Sequence, residues 1–240
     1  MCVLILISNP TPGVSLIAAA NRDEYLHRLS IPPTEIAPGV IGGKDLEAGG
    51  TWLGVNRHGL LVAVTNRRVP PKLHTSPSRG LLCLEALSLA SPEEVERLVS
   101  SRTAEKSYAG FNLVAMREGR GVCLHYDGKV RPVLIEAGIH VVSSHRDMDD
   151  PIMPERKVVL SRLTGRDPLE SMLAHLRELL RDHQETNGWA ICKHGHGYGT
   201  VSSSLLVIPS AGAAGFQYGY SAGPSCRNSL ADYSSLPHMI

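Results

Sequence analysis

The first twenty residues contain two short, continuous apolar runs, at residues 2–7 and 15–20. A turn signal with two prolines and a glycine, at residues 9–13, separates them. Apolar runs of this length on either side of a turn are typical of two buried strands joined as a hairpin. The start of the first strand then lies beside the end of the second, so we predict that Cys2 is next to residues 21–24.

Further short apolar segments predict strands at residues 51–55, 60–65, 111–116, 122–126, 140–143 and 203–208. Helices are predicted between them, at residues 79–89, after Ser91, and after Asp167 as far as about residue 183. Ser91 and Asp167 each precede a proline and stand three residues before a glutamate, which is the pattern of a helix N-cap. The last helix should bury one face, formed by Leu169, Leu173, Leu176 and Leu180.

These elements indicate an α+β fold whose layers surround one core. The sequence contains no internal repeat and no low-complexity linker. We therefore predict a single domain over residues 1–240, in which the Gly-, Ser- and Tyr-rich segment 218–240 is a loosely ordered tail.

The composition is that of an ordinary globular protein, with 42% hydrophobic residues, 20% charged residues and a net charge of +1. Lysines and arginines form no run, so we predict binding to neither nucleic acid nor an anionic membrane surface. The apolar opening lacks a basic flank and stops at residues 8–10, so we expect no signal peptide and no membrane span. The five cysteines are never spaced C-x-x-C, which favours reduced thiols and a cytoplasmic location.

Cys2 becomes the N-terminal residue if Met1 is removed, and it then carries both a thiol and a free α-amine. An α-amine has a pKa of about 8, so it can accept the thiol proton near neutrality. Arg22 beside the thiol would stabilise a thiolate, and the Asp23 carboxylate could orient the amine. The alternative is that Cys2 has no special role and that residues 21–24 are a charged turn after a buried strand.

Two further segments could carry chemistry. Asn66 ends a predicted strand, where its amide could donate to a developing oxyanion or simply terminate the strand. Cys192, His194 and His196 would share one face if that segment is extended, and could converge on a metal. Their spacing fits no usual zinc pattern and the glycines between them indicate a mobile loop, so we predict no metal site and no bound cofactor.

Short motifs occur in a fixed order along the chain: Met1-Cys2, Asn21-Arg22-Asp23-Glu24, Gly50-Thr51-Trp52-Leu53-Gly54, Thr65-Asn66, Gly110-Phe111-Asn112-Leu113 and Tyr198-Gly199-Thr200. Together they resemble the NRDE family, whose eukaryotic members are called transport and Golgi organisation protein 2. The resemblance covers residues 1 to about 208. It implies a relationship to N-terminal nucleophile hydrolases of the cysteine type, such as the bile-salt and penicillin V amidases. It therefore implies a four-layer αββα fold with two stacked antiparallel sheets.

The resemblance also implies roles for individual residues. Cys2 would be the nucleophile, with Arg22 and Asp23 beside it, and Asn66 would lie near the oxyanion hole. Asn21 and Trp52 belong to the matching motifs and are expected to contact the substrate.

Two positions depart from the family pattern. His145 stands where relatives carry an asparagine of the oxyanion hole, and a histidine differs in reach and in the hydrogen bonds it can donate. Val201 follows the Tyr-Gly-Thr motif, where the family commonly has arginine, so the predicted substrate pocket loses a cation at this position.

These observations support two main hypotheses. The first is a hydrolase of a non-peptide amide or thioester, in which Cys2 attacks a small-molecule substrate. The second is a non-catalytic protein that uses the same pocket to bind or carry haem or a related hydrophobic ligand, because family members have been linked to haem handling. The chain has no C-x-x-C-H motif for covalent haem attachment. A catalytically silent scaffold is a third alternative.

Overall fold

The two apolar runs at the start of the chain form an antiparallel hairpin, as predicted. A computed structural model describes residues 3–67, 76–165, 167–184, 189–211 and 215–236. Val3 pairs with Asn21 at one end of the hairpin, and Thr11 pairs with Val14 at the other.

The described residues form thirteen strands and four helices. The strands are β1 (Val3–Thr11), β2 (Val14–Tyr25), β3 (Ser30–Ala37), β4 (Val40–Asp45), β5 (Leu53–Asn56), β6 (Leu61–Asn66), β7 (Phe111–Arg117), β8 (Arg120–Tyr126), β9 (Val130–Ile135), β10 (Gly138–Ser143), β11 (Tyr198–Pro209), β12 (Gln217–Ala222) and β13 (Ala231–Asp232). The helices are α1 (Arg79–Ala86), α2 (Pro92–Glu105), α3 (Pro154–Arg162) and α4 (Leu169–Arg181). No helix among these is long and apolar enough to cross a membrane.

The chain divides into two compact units, which we call the first unit (Met1–His27 and Ala137–Ser235) and the second unit (Arg28–Glu136 and Leu236–Ile240). The single-domain boundaries stay a prediction. Strands β12 and β13 lie almost wholly within the segment that we expected to be a loosely ordered tail.

The first unit contains an antiparallel sheet with the order β10-β1-β2-β11-β12-β13. Side chains alternate along a strand, so Val3, Ile5 and Ile7 of β1 share one face and join a buried core with residues of α3 and α4. The predicted apolar face of α4 is confirmed: Leu173, Leu176 and Leu180 are buried and Leu169 packs against the same core.

The second unit contains an antiparallel sheet that runs from β3 to β9 in chain order. Helices α1 and α2 contribute Leu82 and Val95 to a core with Val62, Leu113 and Leu124 of the strands. The N-cap predicted at Ser91 is confirmed: Ser91 Oγ accepts from the N–H of Glu94, and Glu94 Oε2 accepts from the N–H of Ser91, which together form a capping box.

The N-cap predicted at Asp167 is wrong. Helix α4 begins after Pro168, with no side-chain cap hydrogen bond. Asp167 Oδ2 instead accepts from the backbone N–H and the hydroxyl of Thr164, at 3.0 and 3.1 Å. The carboxylate is thus used in the turn before the helix.

Candidate functional site

The start of β1 is the reference point of the candidate site. Met1 and Cys2 lie outside the described residues, so the strand is described from Val3. Val3 is paired with Asn21 of β2 on one side and with Ser143 of β10 on the other. Two segments that carry predicted site residues, around Arg22 and His145, therefore flank the beginning of β1.

Asn21 connects three parts of the first unit. Its amide donates hydrogen bonds to the carbonyl oxygens of Leu180 and Ile191, at 3.0 and 2.9 Å, and Oδ1 accepts from the hydroxyl of Ser203 at 2.6 Å. The side chain is fully buried. Both amide hydrogens are used within the protein, so Asn21 ties β2 to α4 and β11; substrate contact by Asn21 stays a prediction.

A β-bulge lies opposite Arg22. Strand β11 pairs Thr200 with Asp23 and Ser202 with Arg22, which leaves Val201 as the extra residue between them. A bulge changes the direction of the side chains beside it. Arg22 is 4% exposed, whereas Val201 is only partly buried. The structure thus brings together three predicted site residues, Arg22, Asp23 and Val201.

Asp23 is an anion held inside the protein. It has no exposed surface, and its Oδ1 accepts a hydrogen bond from Thr200 Oγ1 at 2.7 Å. Its Oδ2 lies 3.3 Å from Lys193 Nζ. Thr200 and Lys193 are linked in turn, because the N–H of Lys193 donates to Thr200 Oγ1 and the N–H of Thr200 donates to the Lys193 carbonyl. Lys193 is therefore a charged site residue that the sequence analysis missed.

His145 lies against Trp189 and Glu155. The imidazole stacks on the indole with ring centroids 3.8 Å apart and an interplanar angle of 18°. Nδ1 lies 3.3 Å from Ser143 Oγ, and Nε2 lies 3.5 Å from Glu155 Oε2. Both ring nitrogens of His145 thus face polar groups of the protein.

Glu155 is a second site residue that the sequence analysis missed. It is 2% exposed, and neither of its carboxylate oxygens has a hydrogen-bond partner among the described residues. Burial is the main cause that raises the pKa of Glu155 above its ordinary value; the charge of Lys193 lowers this pKa, and that of Asp23 raises it. A buried acid with a displaced pKa beside a histidine is a group that can hold or transfer a proton.

A cation also lies over the ring that stacks on His145. Lys193 Nζ is 5.5 Å from the centroid of Trp189. Trp189 and Glu155 line a small pocket with Pro154, Val158, Asp182, Gln184 and Ile191. Lys193 therefore contacts Asp23 on one side and lies over Trp189, the ring that stacks on His145, on the other.

Trp52 and Asn66 lie in the second unit. Trp52 is buried, and its carbonyl accepts from the N–H of Val64 at 2.9 Å. Asn66 is the last residue of β6, as expected, and pairs with Phe111 of β7.

A buried polar network supports the strand end that carries Asn66. Asn112 Nδ2 donates to Thr65 Oγ1 at 3.1 Å, and Asn112 Oδ1 lies 2.7 Å from Nδ1 of His125. All three side chains are essentially unexposed. Two of the short motifs, Thr65-Asn66 and Gly110–Leu113, are thus coupled through their side chains.

The sequence profile of a known family matches most of the chain. The profile is described as Transport and Golgi organisation 2, and it matches residues 1–217. The chain belongs to this family. The family that the short motifs indicated is therefore confirmed.

Relatives in this family are distant in sequence and similar in length. The Transport and Golgi organization protein 2 homologs of Bos taurus and Homo sapiens are 26% and 24% identical, over 90% of this chain and 91% of each relative. The homolog of Mus musculus is 30% identical over 60% of this chain and 57% of the relative.

Solved structures show the fold. An ortholog of N-acylethanolamine-hydrolyzing acid amidase from Caenorhabditis elegans is 12% identical, with a TM-score of 0.58 over 86% of this chain and 92% of that one. Penicillin V acylase from Agrobacterium tumefaciens is 12% identical, with a TM-score of 0.54 over 92% and 83%. A variant of conjugated bile acid hydrolase from Clostridium perfringens is 10% identical, with a TM-score of 0.52 over 98% and 93%.

The predicted α+β fold is confirmed by this likeness. It is the four-layer αββα architecture of N-terminal nucleophile hydrolases, with two antiparallel sheets. At 10–12% identity the likeness concerns the fold alone.

Proposed function

We propose that this protein hydrolyses a non-peptide amide or thioester, with the thiol of Cys2 as the nucleophile after removal of Met1. The observation that carries the proposal is the position of Val3, which pairs with Asn21 and Ser143. Cys2 is covalently joined to Val3, so its thiol and α-amine are expected beside Arg22. The amidase and acylase names of the structural neighbours support this class of reaction.

The proposed reaction runs in two steps. The Cys2 thiolate attacks the substrate carbonyl carbon, and Asn66, with His145 as a second donor, stabilises the oxyanion that forms. The carbon–nitrogen or carbon–sulfur bond then breaks as the α-ammonium protonates the leaving group. Water attacks the resulting acyl-enzyme thioester, which releases a carboxylic acid and restores the Cys2 thiol.

Arg22 and Asp23 have supporting roles in this proposal. The guanidinium of Arg22 is a permanent cation, which favours the thiolate form of Cys2. Asp23 is proposed to orient the α-amine. Its two oxygens already face Thr200 and Lys193, and a carboxylate oxygen can accept more than one hydrogen bond.

Trp52, Asn21 and Val201 are proposed to shape the substrate pocket. Val201 presents an apolar side chain at the bulge beside Arg22 and Asp23. This favours a substrate whose group at that position is uncharged.

A first experiment tests the nucleophile. Protein treated with limiting iodoacetamide between pH 5 and 9 is digested, and the labelling of each cysteine is measured by mass spectrometry. We expect Met1 to be absent and Cys2 to be labelled first, well below the pH of about 8.5 at which a free thiol ionises. Cys83 is the internal reference, because it is fully buried and burial raises its pKa.

A second experiment tests turnover on a panel of acyl amides and acyl thioesters. The Cys2→Ala variant should lose hydrolysis of any compound that the wild-type protein accepts. The Cys83→Ala variant is the matched control and should retain it. Full turnover by Cys2→Ala, or a Cys2 no more reactive than Cys83, would exclude the proposed mechanism.

An alternative proposal is a non-catalytic carrier of haem or a related hydrophobic ligand. It is favoured by Val201, which is apolar, and by His145, whose ring is engaged with Trp189 and Glu155. A titration with haemin should then give a saturable spectral shift that denatured protein does not give. An equal shift with denatured protein would contradict this alternative.

A further inference from the structure

Four side chains with sulfur or nitrogen donors meet on the first unit. His183 follows α4, Cys192 and His194 precede β11, and Cys226 follows β12. Cys192 and Cys226 are 34 positions apart in the chain, so folding alone brings them together. Cys192 is fully buried, Cys226 is partly buried and both histidines are exposed, so the cluster can be reached from solvent.

The distances among three of these donors, those of Cys192, Cys226 and His194, are close to the edges of a tetrahedral metal site. Zinc binds thiolate at about 2.3 Å and imidazole nitrogen at about 2.0 Å, which gives edges of about 3.8 Å between two sulfurs and about 3.6 Å between sulfur and nitrogen. In the structure the sulfurs of Cys192 and Cys226 are 3.6 Å apart. His194 Nε2 lies 3.8 Å from the first sulfur and 3.2 Å from the second.

His183 is the nearest candidate for a fourth ligand, at a greater distance than the other three. Its donor atom lies within 4.8 Å of those of His194 and Cys226. Its Nδ1 lies 3.2 Å from the backbone carbonyl of Arg181, to which it can donate only as Nδ1–H. That tautomer leaves a lone pair on Nε2, and a histidine held in this way by a carbonyl is typical of metal ligands.

We propose that Cys192, His194, Cys226 and His183 bind one zinc ion. Two thiols and two imidazoles form a closed tetrahedral set, which is the composition of structural rather than catalytic zinc sites. The two thiols release their protons to solvent as the zinc–sulfur bonds form.

The zinc ion would join three segments of the first unit. These are the end of α4, the approach to β11 and the segment after β12. Lys193 lies between two of the ligands, so the metal also fixes the residue whose ammonium pairs with Asp23.

The test uses the full-length chain, stripped of metal with a chelator and kept reduced and anaerobic. Cobalt(II) and zinc(II) are the probes. We expect one metal ion per chain, a thiolate-to-cobalt charge-transfer band, the visible spectrum of tetrahedral cobalt, and displacement of cobalt by zinc. Zinc at about 100 times its Kd should raise Tm by about 5 to 10 °C.

Variants assign the ligands. Cys226→Ser and His194→Ala should weaken zinc binding by more than about 100-fold, a larger loss than outer-shell substitutions give. His196→Ala is the matched control, since His196 is exposed and lies two residues from His194. It should bind zinc as the wild-type chain does.

Several results would overturn the proposal. One is that Cys226→Ser binds zinc as tightly as the wild-type chain. Another is that the wild-type chain binds no stoichiometric metal. A third is that Cys192 and Cys226 form a disulfide that the reductant does not break. If the variants do not fold, the cobalt spectrum of the wild-type chain decides, because a spectrum without a thiolate band excludes the two cysteines as ligands.

Discussion

Lys193 Nζ lies 3.3 Å from Oδ2 of Asp23, a carboxylate that has no exposed surface. Thr200 donates to the other oxygen, so the anion has a neutral partner on one side and a cation on the other. The lysine side chain is 23% exposed, which places the cation at the edge of the buried region. Removing one partner of such a pair leaves an uncompensated charge in a poorly solvated place.

We therefore expect Lys193→Met to lower the free energy of unfolding by about 3 kcal/mol, at the lower end for a broken buried pair because the lysine is partly solvated. Urea unfolding followed by circular dichroism measures this change. Lys157→Met is the control, since Lys157 is exposed, and should change stability by less than about 0.5 kcal/mol. The double variant Asp23→Asn with Lys193→Met should recover part of the loss; a double variant no more stable than Lys193→Met would show that the pair is not coupled.

Glu155 should make stability fall as the pH rises. Burial raises the pKa of Glu155 in the folded protein above its value in the unfolded chain. Between these two pKa values the folded state holds the proton that the unfolded state has lost, so the free energy of unfolding decreases with pH there. Below the unfolded pKa both states are protonated, and the full stability is present.

The substitution Glu155→Gln removes this titration while keeping the shape of the side chain. We expect the variant to be more stable than the wild-type protein at pH 7, and the difference to disappear near pH 4. Urea unfolding at a series of pH values measures it. Glu178→Gln, on the exposed face of α4, is the control, and its stability relative to the wild-type protein should not change with pH in this way. A wild-type protein that is the more stable of the two at pH 7 would contradict the raised pKa.

Asn21 should matter for stability through its three hydrogen bonds. Asn21→Ala leaves the carbonyls of Leu180 and Ile191 and the hydroxyl of Ser203 without this partner inside the protein. We expect a loss of about 3 kcal/mol, because each net bond contributes about 1 kcal/mol. Ser203→Ala removes only one of the bonds and should cost about 1 kcal/mol. Equal losses for the two variants would show that the amide does not join the three segments.

Local sequence patterns predicted the elements whose folding signals are themselves local. The β1–β2 hairpin follows from two apolar runs and one turn, and the capping box at Ser91 follows from four consecutive residues. The sequences of strands β3 and β4 contain no local pattern of this kind. Strand β3 contains two prolines, which suit an edge strand, and β4 contains Gly42, where a Cβ atom would lie 2.6 Å from the Leu53 carbonyl oxygen.

The motifs indicated Arg22 and Asp23 as candidate site residues, but the partners of these side chains in the folded chain could not be predicted from spacing. Thr200 is 177 positions from Asp23, and only the pairing of β2 with β11 brings the two together. Glu155 looks like any glutamate in the first turn of a helix, and its burial becomes apparent only in the folded chain. The same holds for Cys226, which no motif connects to Cys192.

His145 offers a test of the oxyanion site that separates chemistry from packing. If His145 donates to the oxyanion, His145→Ala should lower kcat by about 100-fold or more and leave KM nearly unchanged, because the contact is made only in the transition state. His145→Asn supplies the side-chain amide that the family resemblance implies at this position and should keep kcat within about 10-fold of the wild-type value. Rates on any accepted amide or thioester, measured beside His196→Ala as the control, provide the comparison.

The asparagine variant also loses the stacking on Trp189 and the approach to Glu155. A role of His145 in packing and a role as hydrogen-bond donor therefore predict different kcat values for the asparagine and alanine variants. If packing is what matters, His145→Asn and His145→Ala should lose stability and activity together. If donation matters, only the alanine variant should lose kcat, while urea unfolding shows similar losses of stability for both. Equal kcat values for the two variants would remove His145 from the oxyanion site and leave Asn66 as the proposed donor.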